Sequence, residues 1–285
     1  MRVVTDRSLA SFSREMANAV LRSSVLLGFS LARASCSAMS AVPPRFLTQE
    51  EAINVDLELM STPGFSIDQL MELAGLSVAA SVEKAYPAAS FASILVIAGP
   101  GNNGGDGLVA ARHLKHFGYS PTVVYPKRSD KVLFTNLAHQ CAVLDIPLLD
   151  ALPEDFEASH SLVLDAIFGF SFRPGSIRAP FDKIVENLRA APLPIVSVDV
   201  PSGWDVERGN ADGHGLEPAM LISLTAPKLC ARGFRGRHFL GGRFVPGSMV
   251  QRYGLGAWTS LYTGAELCVE LPQELALQQQ RESEL

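Results

Sequence analysis

Cysteine is scarce in this chain. There are four in 285 residues, Cys36, Cys141, Cys230 and Cys268, and they form no CxxC and no Cys/His spacing suited to a metal. That argues against a disulfide framework and a zinc site, and the four read as reduced thiols. An excess of positive charge is also missing. With 24 basic and 29 acidic residues the net charge is -5, so the basic stripe of a nucleic-acid binder is absent. No apolar run approaches the roughly 20 residues of a membrane-spanning helix; Ile94 to Ala98 and Ser161 to Phe168 are the strongest. What remains, 47% hydrophobic and 19% charged, is the composition of a globular protein, for which a small-molecule ligand is the default.

Charge is unevenly spread. Residues 1–45 hold Arg2, Arg7, Arg14, Arg22, Arg33 and Arg45, no lysine, nine serines and only Asp6 and Glu15 as acids. This Arg-rich, Ser-rich, acid-poor bias is that of a mitochondrial targeting segment ending near Pro43-Pro44. Two other readings stand beside it. Val25 to Leu31 with Ala32-Arg33-Ala34 has the outline of a short secretory signal, and the segment also fits a disordered tail; Met39 offers a start for an untargeted, cytoplasmic form.

Thr48-Gln-Glu-Glu51 and Ser66-Ile-Asp-Gln69 are capping boxes, so two helices are predicted before any strand. In the second, Ile67, Leu70, Met71, Ala74, Val78 and Val82 recur at the spacing of a buried helical face. From Ser93 onward short apolar runs alternate with helical stretches. Strands are predicted at Ser93–Ala98, Thr122–Tyr125, Ser161–Ile167, Ile195–Val200 and Leu221–Thr225, with helices at Gly107–Phe117, Leu133–Val143 and Phe181–Arg189. A Gly-rich pair follows, Arg237–Leu240 and Arg243–Val245, turning at Gly241-Gly242. Nearly continuous apolar strands between amphipathic helices indicate a parallel sheet covered on both faces. The expectation is one α/β domain over residues 46–285, a Rossmann-like three-layer αβα sandwich with a mostly parallel central sheet.

In such a sheet the ligand sits outside the carboxyl ends of the strands. The first strand is followed by Gly99-Pro-Gly-Asn-Asn-Gly-Gly-Asp-Gly107, whose glycines allow positive φ and close backbone approach and which runs into a helix N-terminus. This is a phosphate-holding pattern, although neither GxGxxG nor a P-loop; a tight turn built on Asn, Asp and Gly is the competing reading. Asp165 and Asp199 each end an apolar strand, where a carboxylate needs a cation or donors. Either alone reads equally well as a helix cap. Together, beside an Asn-rich turn and Ser202, they suggest oxygen ligands for a hard cation plus one titratable group. None of the six histidines is placed in the chemistry.

Four segments in order carry a resemblance: Gly99–Gly107, Asp165-Ala-Ile-Phe-Gly-Phe-Ser-Phe172, Ser197-Val-Asp-Val-Pro-Ser-Gly-Trp-Asp205 and Leu224-Thr-Ala-Pro-Lys228. Over about residues 46–270 the chain resembles the NAD(P)H-hydrate epimerases, the YjeF N-terminal-domain family that includes apolipoprotein A-I-binding proteins. The resemblance implies a homodimer that interconverts the R and S forms of hydrated NADH and NADPH, supplying the S form to a partner dehydratase. It implies substrate contacts at Asn102, Asn103, Gly104, Gly105, Asp106, Gly169, Phe170, Ser171, Phe172, Arg173, Pro174, Gly175 and Asp199. It also implies one potassium ion per subunit, held by Asn103, Asp165 and Ser202. Arg173-Pro174-Gly175 departs from the animal pattern of Lys-Gly-Asp, and Arg178 is positioned to take over its phosphate contacts.

Epimerisation requires a ring hydroxyl to leave and water to return on the other face. Asp199 is the expected acid and base for both events, a role that burial favours by raising a carboxyl pKa, with Lys228 near enough to tune it. Two rival readings differ in class. A non-catalytic binder of dinucleotide or apolipoprotein A-I would share the fold, and a dehydrogenase would require GxGxxG with an acid about 20 residues on, which Pro121 to Lys127 does not supply. Phe168, Phe170 and Phe172 stand at period two beside the site, as ligand-stacking rings or as core.

Overall fold

Both capping boxes form. Thr48 Oγ1 accepts the amide of Glu51 and Glu51 accepts the amide of Thr48 at the start of α1 (Gln49–Ser61), and Ser66 with Gln69 repeats the arrangement at α2 (Ile67–Ala85). In the computed structural model the described residues are 44–173, 175 and 177–273. The expectations for the segment before Pro44, including Cys36 and a start at Met39, and those for Pro174 and the chain beyond Gln273 lie outside the described residues.

Beyond the two helices come β1 (Ser93–Ala98), α3 (Asn102–His116), β2 (Ser120–Val124), α4 (Val132–Val143), β3 (Leu148–Leu149), α5 (Phe156–Ser159), β4 (Leu162–Ala166) and α6 (Phe181–Ala190). The remainder comprises β5 (Ile195–Val198), β6 (Met220–Leu224), a 3₁₀ turn at Leu229–Ala231, β7 (Arg237–Gly241), α7 (Gly247–Tyr253), α8 (Gly256–Thr259) and β8 (Cys268–Glu270). The strands form one sheet in the order β3-β2-β1-β4-β5-β6-β7-β8, parallel throughout except for the antiparallel β7–β8 pair.

Period-two alternation divides the core into two layers. Ile94, Val96 and Ala98 of β1 pack with Val78, Val82 and Leu114 from α2 and α3, while Leu95 and Ile97 pack with Ile184, Val185 and Leu188 of α6. On the latter side of the sheet, further along, Leu221 of β6 and Leu240 of β7 meet Val55 and Leu59 of α1 and Trp258 of α8. Each strand is therefore apolar on both faces, which is why the sequence shows runs instead of alternation.

Three expectations are corrected. Arg243–Val245 is not a strand: Gly242 has φ +75° and gives its amide to Ser77 Oγ, so the chain leaves the sheet and β8 pairs with β7 instead. Helix α3 starts at Asn102, not Gly107, with Gly101 as N-cap. None of Gly99, Gly101, Gly104, Gly105 and Gly107 has a positive φ; four of them serve close approach. A Cβ at Gly99 or Gly104 would collide with the carbonyls of Ile167 or Gly99, at Gly105 with Met71, and at Gly107 it would lie 2.6 Å from Ala166 Cβ.

Candidate functional site

Strand order reverses between β1 and β4, because β2 and β3 continue outward on one side of β1 while β4 adds on the other. Loops leaving the carboxyl ends of β1 and β4 diverge there and open a crevice. It holds a cavity of about 390 Å³. Its polar lining includes Asn102, Asn103 and Asp106 from α3, Asp199, Lys228 and Asp56. Ile53, Leu57 and Met60 of α1, with Ile67, Leu70 and Met71 of α2, make an apolar mouth.

Asp199 follows β5 with φ +68°, and Val200 donates its amide to Val198 at 2.8 Å across it. Thr225, one strand over, has φ +69°, and Ala226 donates to Leu224 at 2.7 Å. Two adjacent strands thus end in γ-turns of the strained hand, and both central residues line the cavity. Asp199 Oδ2 accepts the amide of Phe170 at 2.8 Å, and Oδ1 accepts from the Lys228 ammonium. Lys228 is wholly buried, donates to the Leu224 carbonyl at 2.8 Å and lies 5.4 Å from the Phe170 ring centroid. Its backbone is pinned by a parallel bridge in which Leu47 donates to Pro227 and Leu229 donates to Leu47, both at 2.9 Å. Burial of Asp199 is therefore met by an opposite charge and an amide.

Asp56, on α1, has its carboxyl pushed up to about 6 by burial, with Lys228 opposing and Asp199 adding to the push. Asp106 is held well above the carboxylate range by burial, then by the charges of Asp199 and Asp56, against Lys228. One buried ammonium thus faces three carboxyl groups, and burial, then the neighbouring carboxylates, disfavours the ionised form of Asp106. Gly101 supplies no side-chain cap to α3, so the first amides of that helix are open to an anion.

The sequence family described as YjeF-related protein N-terminus matches residues 67–230. A crystal structure of the yeast protein YNL200c aligns at a TM-score of 0.75 and 41% identity, covering 80% of this chain and all of that one. The chain belongs to the YjeF N-terminal family. That family is associated with NAD(P)H-hydrate epimerisation. MppP, solved after soaking with 2-ketoarginine, aligns at a TM-score of only 0.25 and 11% identity over 70% of this chain and 53% of that one, too slight a likeness to bear on fold or function.

The other residues that the YjeF resemblance picks out are placed differently from one another. Gly169, Phe170 and Ser171 line the cavity with Asn102, Asn103 and Asp106, whereas Gly104 and Gly105 lie buried beneath it, packed on Gly99 and Met71. Phe172 and Gly175 line a neighbouring hollow. Phe168 and Phe172 stack on each other at 4.6 Å, leaving Phe170 as the ring at the cavity.

Asp165 sits behind the loop, with no exposed surface. Its Oδ2 accepts from Ser197 Oγ at 2.7 Å and the Ser202 amide at 2.9 Å; Oδ1 accepts from Ser202 Oγ at 2.6 Å and the Ile167 amide at 3.3 Å. These four donors moderate the upward push of burial on the carboxyl. Asn103 extends its amide nitrogen to Val198 O at 3.4 Å, and its Oδ1 stands beside Gly169. A carboxylate, a hydroxyl and an amide oxygen, without sulfur or imidazole, are the donor chemistry of a hard cation. To hold a cation, the Ser202 hydroxyl would turn its proton away from Asp165.

Sequence reasoning missed Asp56 and Gln49. Gln49 Nε2 donates to the carbonyls of Phe170 at 2.7 Å and Phe172 at 2.8 Å, clamping the 169–173 loop onto α1. No motif marks either residue, and only the packing of α1 over the strand ends brings Asp56 to the cavity and Gln49 to the loop beside it. His238 stays outside the chemistry: it is buried on β7, contacts Ser223 Oγ at 2.9 Å and is held neutral, its pKa pushed down to about 3 by burial and then by Lys228.

Proposed function

We propose that this chain interconverts the R and S epimers of hydrated NADH and NADPH. The observation that carries the reading is the buried Asp199–Lys228 pair at the floor of a mostly apolar cavity, beside the uncapped start of α3. The helix start suits the pyrophosphate and the apolar mouth suits uncharged rings. The charges of Asp199 and Asp56 disfavour phosphate beside them, so the hydrated ring enters the floor.

Loss of the ring hydroxyl is driven by the lone pair of the adjacent ring nitrogen and requires a proton at the departing oxygen. The Asp199–Lys228 pair delivers it, the ammonium's proton passing through the Asp199 carboxylate to the departing oxygen; in reverse, the same pair takes a proton from water adding on that face. A potassium ion held by Asn103, Asp165 and Ser202 would shield the pyrophosphate and fix the loop. Asp165 and Ser202 do this positioning work by anchoring Phe168, whose amide donates to Ser202 Oγ at 3.2 Å. Homodimer formation, a partner dehydratase, binding to apolipoprotein A-I and delivery to the mitochondrion by residues 1–45 belong to the same proposal.

The test follows conversion of pure R epimer to S by chromatography, in potassium and in sodium. Conversion well above the spontaneous rate is expected, and Asp199→Asn should lower it at least about 100-fold while thermal-shift titration still reports dinucleotide binding. Unaccelerated conversion by folded protein would leave a dinucleotide-binding protein without this activity.

A further inference from the structure

Asp199 accounts for one face of the ring, yet epimerisation delivers water to the other. Asp56 and Asp106 line the same cavity and reach it from helices, Asp56 from α1 and Asp106 from α3 on the other face of the sheet, whereas Asp199 and Lys228 reach it from strand ends. Asp106 is only 8% exposed, and among the described residues neither it nor Asp56 accepts a hydrogen bond. The contrast with Asp165, which satisfies four donors, is informative. A buried or half-buried carboxyl group that lines a cavity without a partner has its hydrogen-bonding capacity reserved for something that enters.

We propose that Asp56, supported by Asp106, is the general base for the face of the ring opposite Asp199, so that the two faces are served by different carboxylates. This rests on the epimerase reading given above. In the R-to-S or S-to-R direction, a proton from the Asp199–Lys228 pair goes to the departing hydroxyl and the C–O bond breaks. The ring-nitrogen lone pair becomes a C=N bond and water leaves. Water held at Asp56 then adds from the opposite face; its lone pair makes the new C–O bond, the C=N pair returns to nitrogen, and its proton passes to Asp56. One proton has crossed the cavity, with no oxidant or reductant required. Exchange with solvent through the cavity mouth restores the starting state. The reverse epimerisation runs the same steps with the two groups exchanged.

The charged and titratable groups facing Asp56 are Lys228, Asp199 and Asp106. Burial places Asp56 at about 6, which leaves it ionised at neutral pH and close to the proton affinity a base there needs. Asp106, whose ionised form is disfavoured by burial and then by the charges of Asp199 and Asp56, lines the same cavity. The rate limb governed by Asp56 accordingly falls as pH drops through about 6.

Oxygen-18 water separates the two faces. Each loss and return of the hydroxyl exchanges its oxygen, with inversion when the faces differ and with retention when they are the same. In full-length protein, Asp56→Asn is expected to cut epimerisation at least about 100-fold while exchange with retention on the Asp199 face persists. Asp56→Glu should restore part of the inversion, and thermal unfolding verifies that both variants are folded. Equal loss of exchange and inversion, or an unchanged ratio in Asp56→Asn, would overturn the assignment while the epimerase reading stands. A wild-type protein that neither exchanges nor inverts would overturn both.

Discussion

Asp199 and Thr225 show what single residues contribute here. Each closes a strand in a γ-turn with positive φ, a conformation that costs of order 1–3 kcal/mol outside glycine and persists only where the surroundings enforce it. At Asp199 the enforcing contacts are the Lys228 ammonium and the Phe170 amide. Asp56 carries a different cost. Its pKa in the folded chain is raised to about 6, so folding favours the neutral form. That contribution is fully present below the ordinary value of 3.8 and is lost as pH rises through about 6. Asp56→Asn should therefore abolish this part of the pH dependence and stabilise the protein at pH 8 by at most about 3 kcal/mol. Melting temperatures of both proteins from pH 4 to 8 check this, and parallel curves would refute it. Asp165 behaves oppositely under mutation. Asp165→Ala strands the donors of Ser197 and Ser202 in the core, with an expected loss of about 3 kcal/mol or more in urea unfolding.

At the scale of elements, the start of α3 and the start of α1 together build the site. The glycines of α3 are read correctly from the sequence as residues of close approach, but their helical conformation is not legible there. Asn-Asn-Gly-Gly-Asp-Gly has poor helix propensity, and what makes it helical is contact with Gly99, Met71 and Ala166 from elsewhere in the chain. The prediction is a contrast within one turn. Gly101→Ala meets nothing within 4 Å and should be tolerated, whereas Gly104→Ala meets the Gly99 backbone and should lose at least about 3 kcal/mol, or fail to fold. Equal melting temperatures for the two variants would refute the packing argument. Helix α1 acts through Gln49, whose amide holds the Phe170 and Phe172 carbonyls. Gln49→Ala should raise KM more than it lowers kcat, because it loosens a binding loop and leaves Asp199 in place.

For the whole molecule, the sheet sets the hierarchy of stability. Strands β1 and β4 are paired on both sides and buried on both faces, so their amides should exchange with deuterium most slowly; α7 and α8, short helices beyond β7, should exchange orders of magnitude faster. Uniform protection across these elements would contradict that picture. The sequence by itself determined the two capped helices, the order of the longer strands and helices from β1 to β7 and the parallel sheet, because periodicity and caps are local signals, while the short elements β3, α5, α7, α8 and β8 left no such signal. It could not decide that β7 pairs with a strand near residue 268, since a turn at Gly241-Gly242 satisfies the local pattern equally well and the hydrogen bond from the Gly242 amide to Ser77 Oγ redirects the chain. Nor could it place Asp56 or Gln49. Both sit more than 100 residues from Phe170 or Asp199, on a helix with ordinary composition, and they come near the site only because α1 packs across the strand ends and sets a half-buried carboxylate near an ammonium.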